Sequence, residues 1–460
     1  MLIIRGGFNM QKRSSFSGKL GFVLAAAGSA VGLGNIWRFP YLAAKYGGGT
    51  FLFIYLILAV TFGFTLMTAE IAIGRKTGLS AISAFTTLDK RFKFLGILAS
   101  AVPIIIFPYY SVIGGWVVKY FFVFVTGSGH VAAGDSYFTD FISGTFEPIG
   151  WFFLFIAVTA VIVGFGVEQG IEKVSKFMMP ILVLLTLFIA LYGLTIDGAM
   201  DGLSYYLKPH MADVSAKTIL AAMGQLFYSM SLAMGIMITY GSYMKKENHL
   251  ESSVRQIEVF DTGVAFLAGL MIIPAVFAFS GGDSSALQAG PGLMFITLPK
   301  VFGNMKFGNV VGTLFFLLVF FAALTSAISL METIVSILRD KLGWTRKGTC
   351  VFVTILALVM GVPSSLGFGP LSFISWMGMS VLDIMDFVSN SVLMPIVAFF
   401  TCIFIGFVIK PSTIADEVKV TDGTFKGEKL FSVMIKWIAP IFLVLILLSS
   451  VASALGIFTL

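Results

Sequence analysis

Short polar stretches divide this chain into long apolar segments, and no other feature constrains its fold as strongly. About 20 apolar residues wound as a helix cross the hydrocarbon core of a bilayer. Eleven segments reach or approach that length: 18–44, 50–74, 95–125, 150–167, 174–195, 217–244, 256–281, 308–338, 349–363, 381–409 and 433–457. Lipid offers an open backbone no hydrogen-bond partner, so the segments must be helices. The expected class is an all-α membrane protein with about eleven transmembrane helices. Composition removes the alternative. The chain is 58% hydrophobic and 12% charged, against about 25% charged residues in a soluble domain. In water such a chain would expose apolar patches that aggregate.

Lys and Arg then orient the segments. With residues 1–17 as a cytoplasmic N-terminal segment, one set of loops holds most of the basic residues, among them Arg5, Arg13, Arg75, Lys76, Arg91, Lys173, Lys245, Arg339, Arg346 and Lys419. The other set holds only Lys45, Lys208, Lys217, Lys300 and Lys306. This bias predicts a cytoplasmic N-terminus and an external C-terminus. The net charge of +7 does not point to nucleic acid, because the basic residues are scattered between apolar segments. Cys350 and Cys402 lie in apolar runs and read as small hydrophobic packers. The first apolar run is too long for a signal peptide and lacks a small-residue cleavage site. The expected organisation is one membrane domain: a core over 18–409, then a polar link and last helix over 410–460.

Two segments are interrupted. The first carries Gly28, Gly32 and Gly34 near its middle, followed by Asn35, Arg38 and Pro40. Close packing of small residues accounts for the glycines but not for an Asn and an Arg in the same span, where charge is costly and usually functional. The sixth carries Gln225, Ser229 and Ser231, then Ala233-Met234-Gly235. If helices 1–5 and 6–10 are two inverted repeats (about 18–195 and 217–409), the interruptions occupy equivalent places. Paired broken helices of this kind mark a transporter binding site. Unwound backbone frees carbonyl oxygens for a hard cation, and the start of a half-helix presents N–H groups and a positive dipole end to an anion.

The motif from Gly28 to Tyr41 (GSAVGLGNIWRFPY), followed by Gly47-Gly48-Gly49, strongly resembles the first helix of the neurotransmitter:sodium symporters. Glu70 to Arg75, Gln225 to Ser231 and Leu324-Thr325-Ser326 resemble their second, sixth and eighth helices, in register from about Arg13 to Asp386. The resemblance implies a bacterial sodium-coupled importer of a hydrophobic L-amino acid working by alternating access, as a monomer or dimer in membrane lipid, with unwound helices 1 and 6. It also implies two sodium sites. One comprises Ala30, Asn35, Ser229 and Asp261; the other comprises Gly28, Val31, Ala322, Thr325 and Ser326. All supply oxygen, as a hard cation requires, although Thr325 and Ser326 are equally suited to bonding the preceding helical turn. The implied substrate contacts are Ala30, Leu33, Gly34, Ile106, Tyr110, Tyr228, Ser229, Ser231, Met234, Ser326 and Leu330. The implied outer gate is an Arg38–Asp386 pair with Gln225 nearby and Tyr228 as a lid. The implied inner gate is Arg13 with Asp340, near Ser242 and Tyr243. Gly170 and Pro180 resemble a helix-5 motif that lets its inner half unwind; a plain helix start explains them equally well.

Two positions depart from the family pattern. Where many animal relatives have an asparagine and a chloride-binding serine on helix seven, this chain has Asp261 and Ala265. The fixed negative charge of Asp261 is expected to stand in for chloride. A buried carboxylate left without a partner favours its protonated form, so proton counter-transport on the return step follows as a further expectation. Ala233 replaces a common glycine, next to Met234. Met yields to bulky groups, which suggests Trp, Tyr, Phe, Leu or Met as substrate. A sodium-independent exchanger of the same fold is the main alternative, and the oxygen-rich second cation site argues against it. No filter loop suggests a channel. His130, His210 and His249 show no metal-ligand spacing, and nothing in the chain reads as an enzyme.

Overall fold

The computed structural model describes residues 14–281 and 290–457, and among these residues the regular elements are helices with no strand. Among the described residues nine helices are long and apolar enough to cross a membrane. A tenth crossing is a broken pair, α1 (Lys19–Ala30) and α2 (Gly34–Lys45), bent by 56°. The sixth apolar segment is likewise two helices, α7 (Ala216–Ser229) and α8 (Ile236–Ser242), separated by residues 230–235. The continuous spans are α3 (Gly49–Thr77), α4 (Lys90–Val125), α5 (Glu147–Gly164), α6 (Val167–Gly193), α9 (Leu250–Ser280), α10 (Gly308–Leu342), α11 (Arg346–Leu366), α12 (Val381–Val408) and α14 (Glu428–Ala454). Each expected segment therefore has its helix, with edges displaced by a few residues.

The broken helices lie at the centre. α1 packs on α9 and α10, α2 meets α9 and α7, and α10 lies along α4. Two local features aim side chains at this centre. α4 carries Pro103 and Pro108 within it, each removing a backbone donor beside Ile106, Tyr109 and Tyr110. α12 opens on a capping box in which Ser380 and Asp383 satisfy each other's backbone N–H groups. This fixes the helix register and turns Asp386 and Asn390, one turn apart, toward Tyr109.

The expected polar link after residue 410 is in fact a helix, α13 (Pro411–Asp422). Pro411 suits its first turn, and Ile414, Ala415 and Val418 are buried against the bundle. Glu417 fixes it in place. Its carboxylate meets Arg75 Nε at 2.9 Å and Lys246 Nζ at 2.5 Å, while Arg75 also donates to the Asn248 carbonyl at 2.9 Å. Sequence alone showed polar residues there but not the buried Arg75 that receives them.

Phe16 is fully buried at the same, basic end of the bundle. Its ring sits edge-on to Phe22, Tyr240 and Tyr243, and its N–H donates to the Tyr243 carbonyl at 3.2 Å. Ser17 N–H donates to Glu172 Oε2 at 2.8 Å.

Candidate functional site

The first break falls at Val31-Gly32-Leu33. Asn35 holds it: its amide oxygen accepts from Gly32 N–H at 3.0 Å, and Asn35 N–H donates to the Gly32 carbonyl at 3.2 Å. The other end of the Asn35 amide donates to Asp261 Oδ1 at 2.8 Å. Ser229 Oγ donates to the same oxygen at 2.9 Å. Asn35 and Ser229, two of the four residues expected at the first cation site, thus converge on a third, Asp261, and Ala30 lies on the adjoining wall. Asp261 and Asn35 are fully buried.

Four members of the second expected cluster, Gly28, Ala322, Thr325 and Ser326, also lie together. A Cβ on Gly28 would lie 3.2 Å from Thr325 Cβ and from Met179 Sδ, so α1, α6 and α10 meet there. Thr325 Oγ1 donates to the Phe321 and Ala322 carbonyls at 2.9 and 3.2 Å. This is the helical back-bonding anticipated as the alternative reading. It spends the hydroxyl hydrogen and leaves the lone pairs, so back-bonding and cation ligation do not exclude each other. Ser326 Oγ donates across to the Ser29 carbonyl at 3.1 Å.

The second break, Met230 to Gly235, has an unusual backbone. Ser231, Ala233 and Gly235 all take positive φ, at 52°, 61° and 71°. For non-glycine residues this costs about 1–2 kcal/mol each, so something must hold them. Ser231 Oγ donates to the Ser29 carbonyl at 2.8 Å, and Ala233 N–H donates to Glu70 Oε1 at 2.6 Å. A glycine at position 233, as in many family members, would meet the same conformation without the steric cost.

Between the two breaks lies a cavity of about 50 Å³. All eleven expected substrate contacts line it: Ala30, Leu33, Gly34, Ile106, Tyr110, Tyr228, Ser229, Ser231, Met234, Ser326 and Leu330. It is also lined by Ser29, Gly32, Asn35, Ile236 and Asn390. The Tyr110 hydroxyl is buried beside Gly32 and Ser326.

The outer side differs from expectation. Among the described residues no ion pair joins Arg38 to Asp386. The Arg38 guanidinium carbon lies 4.8 Å from the Tyr228 ring centroid, a cation–π distance. Asp386 Oδ1 instead accepts from Tyr109 OH at 3.0 Å and Asn390 Nδ2 at 2.6 Å. Gln225 Nε2 donates to the Gly34 carbonyl at 3.1 Å. Tyr228 is therefore held between Gly34 and Arg38 and covers the cavity.

At the basic end, Arg13 lies outside the described residues. Asp340 Oδ2 accepts from Ser80 N–H at 2.8 Å, Ser242 Oγ donates to the Thr239 carbonyl at 2.5 Å, and Tyr243 OH donates to Glu332 Oε1 at 2.7 Å. Glu332, fully buried, pairs with Arg346. Gly170 and Pro180 lie in wound helix: a Cβ at Gly170 would sit 2.1 Å from the Ile162 carbonyl, and Pro180 is within the continuous α6. Sequence reading missed Ser29, Glu70, Tyr109, Glu332 and Asn390 as contributors. Ser29 acts mainly through a backbone carbonyl, which leaves no trace in side-chain type. Asn390 could have been found one helical turn beyond Asp386.

Two helices broken at mid-span around a shared cavity, with oxygen donors on both sides, define a secondary transporter. The chain matches the family described as the sodium:neurotransmitter symporters over residues 13–140 and 145–457. It is 36% identical to the sodium-dependent transporter YhdH of Bacillus subtilis, over 95% of this chain and 98% of that protein. It is 30% identical to a sodium-dependent transporter of Haemophilus influenzae, over 96% and 99% of the two chains. The crystal structure of MhsT in complex with L-phenylalanine superposes with a TM-score of 0.86 at 38% identity, covering 95% of this chain and 100% of that one. The chain belongs to the sodium:neurotransmitter symporter family. It is a multi-pass membrane transporter rather than an enzyme, and its family is sodium-dependent.

Proposed function

We propose that this protein imports a hydrophobic or aromatic L-amino acid together with two sodium ions, by alternating access and without chloride. The observation that carries the reading is the cavity itself: both broken helices face it, and the buried Tyr110 hydroxyl lies there beside Ser326 and the first break. A substrate carboxylate at the start of α2 would meet Tyr110 OH and the Leu33 and Gly34 N–H groups. The ammonium would meet Ala30 and the Ser229–Ser231 region. Ile106, Tyr228, Met234, Ser326 and Leu330 would take the side chain. The phenylalanine bound by MhsT supports a bulky apolar substrate.

One sodium is assigned to Ala30, Asn35, Ser229 and Asp261, the other to Gly28, Val31, Ala322, Thr325 and Ser326. Asp261 supplies the charge that makes chloride unnecessary, and on the empty return it carries a proton outward. Arg38 closes on Asp386 over Tyr228 when substrate is bound. The helix 5 segment between Gly170 and Pro180 unwinds when the second sodium leaves. The basic end faces the cytoplasm of a bacterial inner membrane, with the C-terminus outside. The core divides into repeats over about 18–195 and 217–409, followed by the 410–460 extension.

Thermal-shift measurement on the purified protein, over the twenty amino acids with sodium or potassium, tests substrate and ion together. Stabilisation by large apolar amino acids in sodium alone is expected; a glycine- and alanine-only profile, or equal shifts in potassium, refutes the reading. Uptake into proteoliposomes should change by less than about twofold when gluconate replaces chloride. A large fall removes the role given to Asp261; where that role holds, Asp261→Asn should create or strengthen chloride dependence.

A further inference from the structure

Asn390 belongs to none of the site roles assigned above, yet it reaches the cavity. It sits in a π-helical turn of α12, Phe387–Leu393. Such turns re-aim side chains and recur at functional positions. Its amide has one possible orientation. Nδ2 lies 2.6 Å from Asp386 Oδ1 and 2.8 Å from Tyr109 OH. Tyr109 OH already donates to Asp386, so both neighbours present lone pairs. Reversing the amide would set its oxygen against a carboxylate. The amino group is thereby committed, and Oδ1 is left buried and without a partner. An acceptor shielded from water and unpaired is costly, and because Asn390 is part of the cavity wall, a bound ligand is the available source of a donor.

This step rests on the amino-acid reading above. The substrate carboxylate has no hydrogen to give, and its ammonium is taken up by the carbonyls and hydroxyls of the broken helices. The remaining donor is on the side chain. We propose that Asn390 is a specificity-determining residue that accepts a hydrogen bond from a side-chain N–H or O–H of the transported amino acid, favouring an indole or phenol over a purely hydrocarbon group. Because the same amide is held by Asp386 and Tyr109, side-chain recognition is tied directly to the outer gate.

The test is equilibrium binding to the purified full-length protein in sodium. L-tryptophan is compared with β-(3-benzothienyl)-L-alanine, which replaces the indole N–H by sulfur at nearly the same shape, and L-tyrosine with L-phenylalanine. A neutral hydrogen bond is worth about 1 kcal/mol, or roughly fivefold in affinity. The wild-type protein should prefer each donor-bearing ligand by about that factor. In Asn390→Ala the preference should fall to about one, since any disturbance of Asp386 affects both members of a pair alike and cancels. Tyr109→Phe should weaken all ligands while keeping the preference. A wild-type ratio of one, which needs no variant to measure, overturns the assignment, as does a preference that survives in Asn390→Ala. No binding of any amino acid in sodium overturns the functional reading instead.

Discussion

The two broken helices solve the same problem by different means. In the first, none of Gly28, Gly32 and Gly34 uses a left-handed backbone. Each is a glycine because another group stands where its side chain would be: Thr325 at Gly28, Ser326 and Tyr110 at Gly32, and the Tyr228 ring 2.6 Å from the missing Cβ of Gly34. In the second break the backbone is left-handed at three positions, two of them not glycine, and the Glu70 carboxylate and the Ser29 carbonyl from other helices hold it there. The first break is made by space, the second by restrained strain. A cavity wall built by close approach is rigid, whereas one built from strained backbone relaxes when its restraints are released.

The difference predicts opposite signs for opposite exchanges. The largest effect is expected for Gly34→Ala: its methyl group would drive into the Tyr228 ring, and sodium-dependent uptake should fall by about two orders of magnitude or more; uptake within threefold of wild type would show that the ring gives way and the wall is not rigid. Glu70→Ala should come next. It leaves Ala233 N–H buried and unpaired, at about 1–3 kcal/mol, read as a lower midpoint of thermal unfolding and a roughly tenfold weaker substrate affinity. An unchanged midpoint would mean the second break needs no restraint. The smallest effect, and the only favourable one, is expected for Ala233→Gly. Relief of about 1 kcal/mol of strain should raise the thermal midpoint by a few degrees with transport kept; a fall would assign Ala233 a packing role that outweighs its backbone.

Much of this site was legible because its chemistry resides in side chains that lipid would otherwise exclude. Asn35, Arg38, Asp261 and Asp386 stand out in apolar segments, and the family motif places the cavity wall around them. What was not legible was decided by the backbone and by distant partners. Nothing in Ser231 or Ala233 announces a positive φ; that conformation exists because Glu70 and Ser29 hold it. Arg38 was expected on Asp386, yet the Tyr228 face and the Tyr109–Asn390 pair offer each of them another partner. α13 read as a link because the charge that receives Glu417 lies 342 positions earlier. Asn390 was overlooked since an Asn in a long helix is unremarked until its amide is seen to have only one orientation.

Phe16 has a consequence for the balance between conformations. A state that lifts this ring from among Phe22, Tyr240 and Tyr243 exposes a phenylalanine side chain, which costs about 2 kcal/mol. That is roughly a thirtyfold bias between two populations, supplied by a residue that touches neither ion nor substrate. The balance between the two states is thus partly written in a residue that precedes the first membrane crossing.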